Sequence, residues 1–372
     1  MKTNRRIASS RLTTLVGAAA LTVSLASGAA TPRAHASSRL ADTINVNGAG
    51  STFVNPLLTA WTKAYAKVDP SIRINYQAIG SGAGVSAFTA KTVDFAASDA
   101  FLTDVQIKAL GNNELHVPLT IGPVAVLYNL PGVSATIKLD GPTLAQIFLG
   151  KITSWDDQAV AQLNPTVNLP GVPIVIAHRS DGSGTSFIFT HYLKAVSPEW
   201  SSKVGAATTV AWPVGRGGKG SPGVAKIVQS TPGAIGYAEL SYAVTTKLPT
   251  IQIKNKNGQF IAPSPQGAAA DAAGAGTLPD DLRALIVDEP GANAYPIVGF
   301  SWAIISQTVT SADQAKKYTP LLKFLWWAVH QGQVGFPTAG PLRYASLSPA
   351  IVQADEQQIQ SVTYNGNPLY NG

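Results

Sequence analysis

Apolar positions along the chain change between two periods, one typical of helices and one typical of strands. Between residues 55 and 68 they recur every three to four residues, which is the spacing of an amphipathic helix. From residue 72 to residue 78 they alternate with polar residues, which is the spacing of a half-buried strand. Strand-like and helix-like segments continue to alternate toward the C-terminus, so the pattern predicts an α/β architecture.

The remaining elements follow from the same pattern. Two apolar, β-prone runs at residues 118–127 and 297–305 predict the longest strands. Shorter strands are predicted at 43–46, 93–97 and 172–177, and Asn257-Gly258 predicts a hairpin turn between 250–254 and 259–262. Helices are predicted at 105–110, from a Thr143 cap to Gly150, and at 186–196, 267–276 and 318–329.

The first 36 residues have the three parts of a secretory signal peptide. A basic start without acidic residues precedes a mostly apolar run at 15–25, and Ala34-His35-Ala36 offers a cleavage site. Arg5-Arg6 raises the twin-arginine route, but the residues after the pair fit that signal poorly, so ordinary secretion is favoured. No cysteine follows the apolar run, so no lipid anchor is expected and the mature protein is predicted to be free in a periplasm.

Charge and cysteine content exclude several classes of function. Five of the 27 basic residues lie in the predicted signal peptide, which leaves 22 basic against 20 acidic residues. A chain so nearly balanced, without a Lys/Arg cluster, offers no basis for binding nucleic acid. The absence of cysteine excludes disulfides, thiolate metal sites and a cysteine nucleophile.

Four short segments place Gly, Ser and Thr where a predicted strand gives way to a helix. They are GAGSTF at 48–53, IGSGAG at 79–84, ASDA at 97–100 and RSDGSGTS at 179–186. Helix N-termini expose unpaired N–H groups and a positive dipole end, which suit anions. One such segment is more often a helix cap, but four of them, one with an arginine, favour an oxyanion site.

Other Gly-rich and catalytic motifs do not fit the spacing. The dinucleotide fingerprint needs G-x-G-x-x-G, which 80–84 lacks, and Gly218-Lys219 lacks the first glycine of a phosphate-binding loop. Ser81 and Ser183 lack the glycine two residues earlier that a nucleophile elbow requires. The histidines do not occur at metal-ligand spacing, so no metal site is predicted, and His178 is more typical of a strand end than of a catalytic base.

The same segments, above all RSDGSGTSFIFTHYL at 179–193 and VDFAASDAFLTD at 93–104, resemble the phosphate-binding proteins of the high-affinity phosphate ABC transporter. The similarity continues through 140–144, 149–152, 155–157 and 233–237, and covers about residues 43–350 in order. It implies a type II periplasmic-binding-protein fold, with two α/β lobes joined by two crossover strands and a ligand cleft between them. The runs 118–127 and 297–305 are the expected crossovers, with one lobe at 37–120 plus 299–372 and the other at 121–298.

The resemblance also implies a set of ligand residues and a function. The phosphate-binding positions correspond here to Thr52, the Phe53 backbone N–H, Ser81, Asp99, Arg179, Asp181, Ser183, Gly184 and Thr185. Gly82 and Ala83 depart from the family's usual residues beside Ser81. The implied protein is a monomeric receptor without cofactor, metal or catalytic residues that delivers phosphate to a membrane ABC permease.

The chemistry of Asp99 and Arg179 fits that implication. Phosphate near neutral pH carries a proton and sulfate carries none, so an ionised Asp99 would accept the phosphate O–H and repel sulfate. Arg179 would bind two oxygens, and Asp181 would orient it. Two alternatives remain: Asp99 only caps the following helix, and Arg179 with Asp181 forms a surface pair of little value.

Three rival functions follow from the same residues. One is a secreted phosphoester hydrolase that uses Ser183 or Thr52, although the sequence shows no matching histidine arrangement or metal cluster. Another is a receptor for a different tetrahedral oxyanion, for which Asp99 disfavours sulfate but leaves arsenate open. The third is a secreted phosphate scavenger without a transporter.

Overall fold

Strands and helices alternate along the chain, as the hydrophobic pattern predicts. The structure is a computed structural model that describes residues 43–372, so the predicted signal peptide at 1–36 lies outside the described residues. The strands are β1 (Ile44–Gly50), β2 (Ile72–Gln77), β3 (Phe95–Ser98), β4 (Glu114–Tyr128), β5 (Lys138–Leu139), β6 (Val175–Arg179), β7 (Arg216–Gly218), β8 (Ala234–Glu239), β9 (Gln252–Lys254), β10 (Phe260–Ile261), β11 (Val298–Ser306), β12 (Thr308–Val309), β13 (Thr363–Tyr364) and β14 (Asn367–Pro368).

Helices connect most of these strands. The α-helices are α1 (Asn55–Val68), α2 (Ser81–Thr89), α3 (Asp104–Ala109), α4 (Gly141–Phe148), α5 (Gln158–Leu163), α6 (Gly184–Val196), α7 (Pro198–Lys203), α8 (Gly220–Ser230), α9 (Leu240–Thr246), α10 (Pro265–Gly274), α11 (Ala312–Val329) and α12 (Pro349–Gln360). Single 3₁₀ turns lie at Gln331–Gln333 and Phe336–Thr338. None of these helices within residues 43–372 is long and apolar enough to cross a membrane.

Most of the predicted helices and strands are found, and the differences between predicted and observed bounds lie at their ends. Helix α1 has the predicted bounds, and its apolar face is buried except at Val68, its last residue. Helix α4 is capped by Asp140, whose side chain accepts from the Thr143 N–H at 2.9 Å, so the predicted Thr143 cap is wrong. Helix α11 begins at Ala312, six residues before the predicted start at residue 318, because its first turns are polar and Ser311 caps them.

The main sheet has the strand order β2-β1-β3-β11-β4-β8-β6-β7. On one side β1 pairs in parallel with β2 and β3, and on the other side β6 pairs in parallel with β7 and β8. The long strands β4 and β11 run antiparallel to each other in the centre. We call the two flanks the β1–β3 side and the β6–β8 side.

The register of the central strands opens a cleft between the two sides. Strand β11 pairs with both β3 and β4, and its Trp302 lies opposite Ser98 of β3 and Pro118 of β4. Strand β8 pairs with β4 farther along the chain, at Val124 to Tyr128. The two strand sets run in opposite directions, so their carboxyl ends face each other over the middle of β4. Ligands of open α/β sheets bind at such carboxyl ends. The predicted lobe boundaries, at 120/121 and 298/299, fall within β4 and at the start of β11 and stay a prediction.

Candidate functional site

Asp99 follows β3 directly and lies at the cleft with only 1% of its surface exposed. The Ser51 hydroxyl lies 2.6 Å from its Oδ1 and 2.8 Å from its Oδ2. The Ser301 hydroxyl donates to Oδ1 at 2.8 Å. The Asp99 backbone N–H donates in turn to Ser81 Oγ at 3.3 Å. Hydroxyl groups from three separate segments therefore contact Asp99, two at its buried carboxylate and one at its backbone N–H.

The Asp99 carboxylate keeps acceptor capacity for one more hydroxyl group. Ser51 carries a single hydroxyl hydrogen, so it can fully satisfy only one of the two oxygens. Since Ser301 donates to Oδ1, a lone pair of Oδ2 remains available. Burial raises the pKa of Asp99 to about 6, against the lowering effects of the Ser51 and Ser301 hydrogen bonds and of the Arg179 charge. At neutral pH the carboxylate is therefore ionised and can only accept.

Helix α3 is capped by Thr103 and not by Asp99. The Gln106 N–H donates to Thr103 Oγ1 at 3.3 Å, and the Gln106 side chain accepts from the Thr103 N–H at 2.9 Å. These reciprocal hydrogen bonds form a capping box. The alternative in which Asp99 only caps the following helix is therefore wrong.

Arg179 ends β6 on the opposite side of the cleft. Its side chain is only 2% exposed, so the alternative of a surface ion pair is wrong. Nε donates to Asp181 Oδ1 at 2.8 Å and Nη2 to Oδ2 at 2.5 Å, which is a bidentate pair. Nη1 donates to Thr185 Oγ1 at 3.3 Å. A guanidinium has five N–H groups, so Nη1 and Nη2 each keep one for a ligand.

Asp181 orients Arg179 and the start of helix α8 together. Its Oδ1 also accepts from the Gly220 N–H at 3.0 Å. Burial acts to raise the pKa of Asp181, but the hydrogen bond and the charge of Arg179 outweigh it and hold that pKa below its usual value. Asp181 therefore stays ionised, and its two contacts fix the guanidinium against the first turn of α8.

Thr52 and Phe53 lie in the loop between β1 and α1. The Thr52 hydroxyl accepts from the Ser221 N–H at 3.0 Å and lies 3.2 Å from Ser221 Oγ, across the cleft. The Phe53 N–H, the predicted ligand donor, donates to Ser51 Oγ at 2.9 Å. The structure thus places this loop at the site, where the Thr52 hydroxyl and the Phe53 N–H both form hydrogen bonds with other protein groups.

Ser81 begins helix α2, after Gly80 with φ of 96°. That backbone conformation is in the region that favours glycine. Ser81 is buried with 1% exposed and begins α2, and the first N–H groups of a helix suit an anion. The Gly82 N–H donates to the Gly182 carbonyl at 3.0 Å, so the loops of the two sides touch here.

Ser183, Gly184 and Thr185 form the start of helix α6. Ser183 caps it by accepting from the Ser186 N–H at 3.0 Å. Gly184 packs directly on Asp99, because a Cβ added at Gly184 would lie 2.6 Å from both Cβ and N of Asp99. The two sides of the cleft are therefore in contact beside the carboxylate.

Gly184→Ala is expected to prevent this close approach. The new methyl group would meet the Asp99 backbone, which cannot move as freely as a side chain. We expect the loss of more than roughly tenfold in ligand affinity, since packing a site too tightly costs about 1–3 kcal/mol. The melting temperature of the ligand-free protein should change little, because the sides can part. Titration and thermal melting test this, and unchanged affinity would show that the sides close without this contact.

The structure brings together all nine predicted site residues and adds others that the sequence reasoning missed. Ser51 and Ser221 belong to Gly/Ser segments at helix starts, so the same signal could have found them. Ser301 lies in a crossover strand with no local signal. It reaches Asp99 because β11 pairs with β3, with Trp302 opposite Ser98.

This arrangement suits a tetrahedral oxyanion that carries a proton. Arginine N–H groups, hydroxyls and the starts of α2, α6 and α8 supply donors, and the ionised Asp99 supplies an acceptor for one ligand hydroxyl. Among residues 43–372, no group of three or more His, Asp or Glu residues is placed to hold a metal ion. His178 stacks on Trp212 at 4.9 Å, and its Nδ1 lies 3.0 Å from the Arg179 carbonyl oxygen.

Comparisons with known proteins agree with this fold. A sequence model described as PBP superfamily domain matches residues 27–322. The phosphate-binding protein PstS of Xylella fastidiosa is 39% identical over 315 residues, covering 84% of each chain. PstS of Methanocaldococcus jannaschii is 39% identical over 311 residues, covering 78% of this chain and 80% of the relative. A solved high-affinity periplasmic phosphate-binding protein bound with phosphate superposes with a TM-score of 0.65 at 22% identity, covering 84% and 93% of the two chains.

Two α/β sides that meet over a polar cleft, with two long strands between them, define a solute-binding protein of the type II periplasmic-binding class. The chain belongs to the PBP superfamily and, within it, to the family of PstS phosphate-binding proteins.

Proposed function

We propose that this protein is the extracytoplasmic receptor that binds inorganic phosphate in the cleft and delivers it to an ABC phosphate importer. The proposal follows from membership of the PstS family and from the site's chemistry. The proposed ligand groups are Thr52, the Phe53 N–H, Ser81, Asp99, Arg179, Asp181, Ser183, Gly184 and Thr185, with Asp181 acting mainly through Arg179.

The observation that carries the proposal is the pairing of a buried acceptor with a buried donor at one cleft. Asp99 can only accept while ionised, and Arg179 can only donate. Sulfate offers no hydrogen to Asp99, whereas phosphate offers one near neutral pH. A sub-micromolar affinity needs about −8 kcal/mol, which a set of charge-assisted hydrogen bonds in a closed cleft can supply.

The Ser51 contacts add one requirement for binding. The Phe53 N–H, which donates to Ser51 Oγ at 2.9 Å, shares its hydrogen with a phosphate oxygen in a three-centre hydrogen bond and keeps its present orientation. Ser51 continues to donate to Asp99 in this arrangement. The proposed function includes this shared hydrogen bond.

We further propose that the protein acts as a monomer, is secreted through its N-terminal signal and works without catalysis. The contacts of two histidines support the last point. His116 Nε2 accepts from the Leu102 N–H at 3.0 Å, and His191 Nδ1 lies 2.8 Å from the Phe187 carbonyl oxygen. Both have structural partners. Absence of p-nitrophenyl phosphate turnover by the purified protein tests this part.

Calorimetry with phosphate, arsenate and sulfate tests the binding proposal. Phosphate is expected to bind most tightly, arsenate more weakly and sulfate negligibly at neutral pH. Phosphate at about 100 times its Kd should stabilise the fold by about 2.7 kcal/mol and raise the melting temperature. Small-angle scattering should show a more compact protein with phosphate. If phosphate gives no binding heat in calorimetry and no rise in the melting temperature, the proposed ligand is wrong.

A further inference from the structure

Thr52 is held from across the cleft at its backbone as well as at its hydroxyl. The Tyr242 hydroxyl, on α9 of the β6–β8 side, donates to the Thr52 carbonyl oxygen at 2.5 Å. Ser221, at the start of α8 on the same side, binds the Thr52 hydroxyl through its N–H at 3.0 Å. Both contacts join the two sides of the cleft at a single residue.

The Tyr242 contact acts on the peptide group that supplies a proposed phosphate donor. The Thr52 carbonyl and the Phe53 N–H belong to one planar peptide. Its oxygen is fixed by Tyr242, and its N–H donates to Ser51 Oγ, whose hydroxyl lies against Asp99. The orientation of the Phe53 N–H therefore depends on a phenol that belongs to the opposite side.

The start of α9, which carries Tyr242, is held in place by hydrogen bonds to its cap and its first turn. The buried Glu239 caps α9, because its Oε1 accepts from the Ser241 N–H at 2.9 Å. Ser241 Oγ accepts from the Arg343 N–H at 3.2 Å. The phenol of Tyr242 thus projects from a turn that is attached at both its cap and its next residue.

We propose that Tyr242 and Ser221 are positioning residues that hold the Thr52–Phe53 peptide from across the cleft and so couple closure to the orientation of the Phe53 N–H. The proposal rests on the proposed function. Neither side chain needs to touch phosphate, because both act through Thr52. When the cleft opens these contacts break, and the peptide is free to turn.

Tyr242→Phe tests the proposal, since it removes only the hydroxyl. The rate of phosphate release, measured by stopped flow, is expected to rise roughly threefold to tenfold, as for the loss of one hydrogen bond. Discrimination against sulfate should not change, because Asp99 is intact. The ligand-free variant should also be more open than the wild type by small-angle scattering. Ser221→Ala, which keeps the backbone N–H, should show the same changes at roughly a twofold level.

Tyr76→Phe is the matched control. The Tyr76 hydroxyl donates to the carbonyl oxygen of Ser51 at 2.8 Å, one residue from Thr52, but Tyr76 lies on β2 of the same side. Both Tyr variants should lower the melting temperature, whereas only Tyr242→Phe should speed release and open the ligand-free protein.

The outcomes separate the positioning role from the function itself. If the wild type does not bind phosphate, the proposed function is wrong, and scattering by the ligand-free variants still tests the positioning role. If the wild type binds but Tyr242→Phe and Tyr76→Phe behave alike in release and in scattering, the positioning role is overturned. Should Tyr242→Phe fail to fold, wild-type behaviour of Ser221→Ala in both measurements overturns it.

Discussion

Arg179→Ala is expected to abolish high-affinity phosphate binding. The guanidinium is buried and bidentate with Asp181, and its free N–H groups are the cationic donors proposed for phosphate. Its removal leaves the buried Asp99 and the partly buried Asp181 without a cationic partner. Breaking a buried charge pair at one partner costs about 3–5 kcal/mol, so we expect affinity to fall at least a hundredfold. Calorimetry of the folded variant measures this.

Arg283→Ala is the matched control for that loss. Arg283 also pairs with an aspartate two residues away, because its Nε donates to Asp281 Oδ2 at 2.7 Å. It also donates to the Leu102 carbonyl and to Asp104, at 2.8 Å each, outside the proposed site. Arg283→Ala should lower stability and keep phosphate affinity within a few-fold. Equal losses in both variants would mean that the affinity loss reflects general destabilisation.

Asp99→Asn is expected to change selectivity more than fold. Asparagine keeps the shape but can also donate, so the repulsion of a fully ionised oxyanion falls. Sulfate affinity should rise roughly thirtyfold, on the scale of about 2 kcal/mol for relief of a like-charge contact. Phosphate affinity should fall only about fivefold, because one of many hydrogen bonds changes. Competition titrations decide, and an unchanged phosphate-to-sulfate ratio removes the discriminating role of Asp99.

The pH dependence of wild-type sulfate binding provides an independent check. The pKa of Asp99 is raised to about 6, so the carboxyl gains its proton as pH falls through that value and becomes a donor. Sulfate stays fully ionised over this range. Wild-type affinity for sulfate should therefore increase from about pH 7.5 to about pH 5, and that of Asp99→Asn should stay flat. A flat wild-type profile would contradict the assignment.

The sequence predicts the elements well where the cause is local. Helix α1 follows from its apolar face, and β4 and β11 follow from long apolar runs that no helix period fits. The site loops are recognisable because Gly, Ser and Thr at a helix start have a local function, to expose and cap N–H groups. Arg179 stands out for the same reason, as a cation inside such a loop.

The parts that the sequence does not predict depend on pairing between distant segments. Ser301 reaches Asp99 only through the register of β11 on β3. Tyr242 reaches Thr52 only because the two sides meet, and a tyrosine in a short helix carries no local sign of that contact. The start of α8 has no recognised motif, because Gly218-Lys219 does not fit a phosphate-binding loop, and the Gly220 N–H donates instead to Asp181 from a distant segment.

The contacts across the cleft have a cost for communication with an importer. The Gly82 N–H on the Gly182 carbonyl and the Tyr242 hydroxyl on the Thr52 carbonyl join protein to protein, so they favour closure whether or not phosphate is bound. Such contacts raise apparent affinity, because apparent Kd falls as the closed fraction of free protein grows. The closed receptors without phosphate also produce a background signal, because an importer that recognises the closed shape binds them as well. High phosphate affinity therefore favours strong hydrogen bonds across the cleft, whereas an importer that must distinguish loaded from empty receptors favours weak ones.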